Sequence, residues 1–154
     1  MNTDDTVTMQ IDAHVVDSLG ERHALIALMH YSSEDAFAVN TTFIAPQRPS
    51  DPGVTWTFAR ELIATARVEP VGEGDVHAWP TMGDDHTPVI AMLLMSPDGQ
   101  ALVELSAAGV EQFINATLRL VPVGAETSEV DFDGMLESLL AGRPTATAED
   151  DFQL

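Results

Sequence analysis

"VTWTFARELIATAR", residues 54–67, changes its period without a turn residue at the change. Val54, Trp56 and Phe58 alternate with Thr55 and Thr57, the period of two expected of a strand with one buried face. From Phe58 onward the apolar positions are Phe58, Leu62, Ile63 and Ala66, at helical spacing, with Arg60, Glu61 and Arg67 between them. The pattern predicts a strand that runs directly into a helix.

Working outward, the residues before it alternate or run apolar in short blocks. "VTMQIDAHVVD" (7–17) reads as a half-buried strand, "HALIALMHY" (23–31) as a more continuously apolar one and "AFAVNTTFIA" (36–45) as a third. "PQRPSDPG" (46–53) has three prolines and a glycine and reads as a long loop. After the helix, "EPVGEG" closes it. "DVHAWP" (75–80) is a short strand stopped by Pro80, and "PVIAMLLMS" (88–96) is a buried strand. "SPDG" (96–99) supplies a type I turn, and "QALVELS" returns as the second arm of that hairpin. Ser106 suits the N-cap of a helix whose stripe is Val110, Phe113, Ile114, Thr117, Leu118 and Val121. A last short helix is expected from Asp131 or Asp133, with Met135, Leu136, Leu139 and Leu140 on its apolar face. The expected fold class is therefore α+β: an antiparallel β-barrel or sandwich of about seven strands with helices at one end. Residues 1–142 form one domain, and 143–154 form an acidic, flexible C-terminal tail.

Six basic residues face 25 acidic ones, for a net charge of −19. All six are arginines: Arg22, Arg48, Arg60, Arg67, Arg119 and Arg143. Without lysine there is no Schiff base and no phosphate-loop cation. Without cysteine there is no disulfide, thiolate metal site or cysteine nucleophile. So acidic a chain repels polyanions and anionic membrane surfaces. No apolar run reaches bilayer-spanning length and the first residues do not form a secretory signal, so a cytoplasmic protein is expected.

The chain has no nucleotide-binding loop and no nucleophile elbow. Asp84, Asp85 and His86, with His77 on the preceding strand, are the best case for a weak oxygen and nitrogen metal site, but polar loops carry such residues for solubility alone. "DFDG" (131–134) lacks the remaining ligands of a calcium loop and reads as helix capping. The glycosylation patterns "NTT" (40–42) and "NAT" (115–117) mean nothing without secretion. Trp56, Phe58 and Trp79 read as core, not as base-stacking aromatics, because their neighbours are not basic. Met9, Met29, Met92 and Met95 fall in expected strands and read as core filler. No catalytic residue, cofactor or metal ligand is assigned, and the partner-binding residues are not identified.

"FAVNTTFIA", "VTWTFARELI", "GEGDVHAWP" and "SPDGQALVELSA", in this order and spacing, resemble the SsgA-like proteins of sporulating actinomycetes. The resemblance runs from about Val7 to Gly142 and rests most on the W-x-F-A-R-[DE]-L and G-D-V-x-x-W-P blocks. It implies a non-enzymatic regulator or adaptor of sporulation-specific cell division. Its expected partners are the tubulin-like division protein FtsZ, recruited to septum sites, and other SsgA-like proteins. It also implies a bell-shaped Whirly-like barrel assembled as a homotrimer. On that fold residues 54–67 are architecture: the strand puts Trp56 and Phe58 in the core and the helix covers an open end. Arg60 is expected to serve an internal or inter-subunit carboxylate. The alternative reading, a single-strand nucleic-acid module, needs a basic groove built from Arg22, Arg48 and Arg60. A small hydrolase would need stray carboxylates or the 84–86 loop in a deep polar pocket.

Overall fold

Short turns between alternating apolar blocks favour hairpins, and hairpins are what form. A computed structural model describes residues 5–126. Strands β1 (Thr6–Val16), β2 (Arg22–Ser32), β3 (Asp35–Ile44) and β4 (Val54–Ala59) make one antiparallel meander. Strands β5 (Val71–Glu73), β6 (Val76–Met82), β7 (Pro88–Ser96) and β8 (Gly99–Ser106) make a second. β1 pairs with β8, so the sheet order is β4-β3-β2-β1-β8-β7-β6-β5. The eight strands exceed the seven expected because of β5. Its three residues lie among Pro70, Gly72 and Gly74, which read as a turn, and only pairing with β6 holds them extended.

Helix α1 (Arg60–Ala66) follows β4 without a break, and α2 (Ala107–Leu120) follows β8 in the same way. Each step in the ladder is antiparallel, so β4 and β8 run in the same direction and both helices start at one end of the sheet. The Ser106 hydroxyl accepts the Gly109 amide at 3.1 Å, the expected N-cap. Val110, Phe113, Ile114 and Thr117 are buried as the stripe requires. Gly109 lets α2 lie close on β1: a Cβ there would sit 2.9 Å from Ile11 Cγ2.

α1 touches β3 and β4 on one side and β5 and β6 on the other. These strands are at opposite ends of the ladder, so the sheet must curl until its edges approach across α1. It is a half-barrel, not the closed barrel expected: no ladder joins β4 to β5 among the described residues. The core lies inside the curl, with Met29, Tyr31, Val39, Ile63, Ile90, Met92, Leu105 and Phe113 almost fully buried. The expected helix near residues 131–141, the domain limit at 142 and the acidic tail lie outside the described residues.

Candidate partner-binding groove

The uncurled remainder of the barrel is a seam. Between the free edge of β4 and the β5–β6 hairpin lies an open groove of about 500 Å3. Phe37, Ala38, Trp56, Thr57, Phe58, Ala59 and Leu62 form one wall, and Glu73, Asp75 and Val76 form the other. One side is thus aromatic and the other acidic. Phe58 is core, as expected, while Trp56 is only half-buried and shared between core and groove. Phe37 is 56% exposed. The sequence offered no warning of this, because strict alternation back from Val39 turns Phe37 inward. The cause is a register shift. Between the pairs His30–Asn40 and Ser32–Asp35, β3 advances five residues while β2 advances two. The bulge buries Ala36 and turns the phenyl ring out.

Arg60 stands behind this wall. It falls on the buried face of α1, not between the apolar positions, and is 3% exposed. Its Nη1 donates to the carbonyls of Val121 (2.7 Å) and Thr117 (3.2 Å) at the C-terminal end of α2. Its Nη2 donates to Glu126 Oε2 at 2.6 Å, and its guanidinium lies 5.0 Å from the centre of the Tyr31 ring. The expected internal carboxylate is therefore Glu126. Arg60 beside it holds the Glu126 carboxyl below the ordinary glutamate range, helped by backbone hydrogen bonds. Burial raises the Tyr31 phenol above its usual value, and its hydroxyl donates to the Ala36 carbonyl.

A second hollow, of about 600 Å3, lies on the outer face of the sheet. The 83–87 loop closes over Asp12, His14, Arg22, Glu104 and Ser106. Arg22 grips Glu104 with two hydrogen bonds, Nε at 2.7 Å and Nη2 at 3.0 Å, and its Nη1 reaches Asp84 at 3.3 Å. The loop's histidine neighbour is His14, not the expected His77, whose ring packs on Gly72 near the other end of β6. Asp85 is held below the usual carboxylate range, first by the Thr87 hydroxyl. A general acid working near neutrality needs the opposite shift, so Asp85 is placed as an acceptor. Asp12, His14 and Glu104 were invisible as a group because they come from two distant strands. Asp17, Glu21 and His23 also lie close enough to share an ion, on the β1–β2 turn. Their hydrogen bonds are those of a capped turn: Asp17 Oδ1 accepts the Leu19 and Glu21 amides and Oδ2 meets His23.

Arg22, Arg48 and Arg60 do not assemble a basic groove. Arg60 is buried on Glu126, Arg22 is tied to two carboxylates and Arg48 sits in the exposed 45–53 loop. Trp79 is not core: it lies outward on β6, against a shallow apolar hollow with Leu93 and Met95. Met29 and Met92 are core, Met9 packs against it, and Met95 faces that hollow.

Residues 25–126, which run from within β2 to beyond α2 and so include both helices but not β1, match the family model described as the Streptomyces sporulation and cell division protein SsgA. The chain belongs to the SsgA family. It is 35% identical over 141 residues to the sporulation-specific cell division protein SsgB of Streptomyces coelicolor, covering 92% of this chain and 98% of that one. It is 38% identical over 120 residues to the SsgB of Salinispora tropica, covering 76% and 80%. The solved SsgA-like sporulation-specific cell division protein of Thermobifida fusca superposes with a TM-score of 0.75 at 29% identity, covering 90% of this chain and 98% of that one. A second structure, from work correlating mutations in SsgB with longitudinal cell division during sporulation of S. coelicolor, gives 0.74 at 32%, covering 82% and 96%. These likenesses make the curled sheet with its two helices the family's architecture. No helix among the described residues is long and apolar enough to cross a membrane.

Proposed function

We propose that this SsgA-family chain is a non-enzymatic adaptor in sporulation-specific cell division, helping to recruit FtsZ to septum sites. The observation that carries the proposal is the match over residues 25–126, joined to near-full-length relatives that are themselves named sporulation-specific cell division proteins. The geometry supports an adaptor role in a second way. Arg22, Arg60 and Arg67 are tied to the chain's own carboxylates, while among the described residues an aromatic strand edge stays open to a partner. The cytoplasmic pool is expected to gather at division septa, as a homotrimer. The test is direct association. Purified full-length chain, immobilised for interferometry, is expected to bind FtsZ from the same organism saturably, and light scattering is expected to give the mass of three 16.6 kDa chains. No saturable association with FtsZ, or a septal FtsZ pattern unchanged on deletion of the chain's gene, would overturn the reading.

A further inference from the structure

We infer that the seam holds an extended segment of a partner protein, added as a strand along β4. Apolar side chains of that segment lie against Phe37 and Trp56, and a basic one faces Glu73 and Asp75. The inference rests on the adaptor reading and names the surface it uses.

Among the described residues β4 pairs on one side only, with β3, over Thr42–Thr55, Thr41–Trp56 and their neighbours. Its other side looks into the groove, where among the described residues its backbone amides and carbonyls meet no other strand and can accept a new one. β4 is the uncharged stretch VTWTFA, with no lysine, proline or inward charge to guard the edge. Across the groove, β5 offers three residues, too short an edge to pair with β4 and close the barrel. Among the described residues the sheet therefore lacks one strand at this point.

The walls specify that strand's chemistry. Phe37 is turned outward by the β3 bulge and Trp56 is half-buried further along the same wall, which gives two aromatic surfaces for apolar side chains. Glu73 and Asp75 are exposed on the opposite rim with no arginine among the groove's lining residues, so a cation completes the site. A second copy of β4 would bring no cation to that rim, and a nucleic acid would bring phosphates to two carboxylates. A polypeptide alternating apolar and basic residues satisfies all three features.

The test uses the full-length, 15N-labelled chain and a capped peptide of about eight residues, enough to run along β4, alternating valine with lysine or arginine. A control peptide carries glutamate in place of each basic residue. Amide shifts are expected at residues 54–59 and 73–76, with the acidic peptide binding about tenfold more weakly. Phe37→Ser, and separately the Glu73→Lys/Asp75→Lys pair, should each weaken the basic peptide by about tenfold, all at exposed positions that leave the spectrum folded. Equal binding of the two peptides, shifts centred elsewhere, or no shifts would overturn the inference. So would concentration-dependent shifts of residues 54–59 without peptide, which would assign the edge to a second copy. Contacts between those residues and the chain's own residues 127–154 would assign it to that segment, with the same result. FtsZ binding is scored separately. A peptide that seats while FtsZ does not bind keeps the seam and removes the proposed function; FtsZ bound by a chain whose seam takes no peptide does the reverse.

Discussion

Arg60, at the start of α1, joins a part of the chain far from it in sequence, the end of α2 and the Glu126 that follows it. A buried guanidinium is tolerated because its two terminal nitrogens donate to two carbonyls and a carboxylate, and its face rests on Tyr31. Removing one member of such a cluster strands the others, so Arg60→Met should lower unfolding free energy by about 3 kcal/mol in urea titration. Glu126→Gln keeps the shape and loses only the charge. Its effect carries a pH signature. The folded carboxyl titrates below the ordinary value of 4.5, so its stabilisation is complete above that value and is lost as pH falls through the folded pKa. Wild type and Glu126→Gln should therefore differ at neutral pH and converge in acid, as read by denaturation midpoints across that range; a constant difference would refute the pairing. Thr41 presents the opposite case. It is fully buried on β3, and its hydroxyl has no hydrogen-bond partner among the described residues. Thr41→Val should raise stability by about 1 kcal/mol with the urea slope unchanged.

The two strand-to-helix junctions decide the architecture at the level of elements. Neither uses a turn: Ala59 is extended at φ −69°, ψ 142°, and Arg60 is already helical. Such a junction was legible in residues 54–67 because the buried positions change period there. The second junction was legible from Ser106 and the stripe behind it, and the "SPDG" hairpin from its turn residues. Each of these signals is local. What was not legible depends on long-range pairing. β5 exists only against β6, Phe37 faces out only because β3 bulges against β2, and Trp79 faces out because Val76 and Ala78 take the inward phase of β6. The seam could not be read at all, since it lies between elements from the two meanders. The 45–53 loop was readable as irregular, but the need for Gly53 was not: at φ +84° its Cβ would lie 2.4 Å from the Phe43 carbonyl oxygen. Gly109 gives the testable case among helix contacts. Alanine there gains up to about 1 kcal/mol of helix propensity. The new methyl would nevertheless meet the branched Ile11 side chain, which cannot swing away. Gly109→Ala is therefore expected to destabilise wild type but to stabilise an Ile11→Ala background, a sign change that thermal unfolding of the four proteins would show. The same sign in both backgrounds would mean that α2 is free to lift from the sheet.

Across the whole molecule, charge is distributed so that contact becomes possible despite repulsion. A net charge of −19 opposes approach by any acidic partner. Yet two outward rows that run across β1 to β4 carry no acid: Gln10, Leu28, Thr42 and Thr55, and next to them Thr8, His30, Asn40 and Thr57. Their polar groups are largely satisfied by each other, Thr8 with His30, Thr42 with Thr55 and Thr57 with Asn40. This neutral face ends at β4, beside the seam. A partner docking there meets little local like charge and only the long-range field of the remainder. Salt then acts in two directions. It weakens the one or two ion pairs available at Glu73 and Asp75, and it screens the repulsion between the two bodies, whose range shrinks to about 8 Å at physiological ionic strength. The two effects oppose, so affinity for FtsZ should change by less than about threefold between 50 and 300 mM salt. The association rate should rise over the same range as repulsion is screened. In Leu28→Glu, which places a charge on the neutral face, affinity should fall at low salt and recover at high salt. Interferometry across that salt range measures all three quantities. A steep loss of wild-type affinity with salt would mean that binding is driven by an extended basic surface on the partner, and the aromatic edge would not be the main source of attraction.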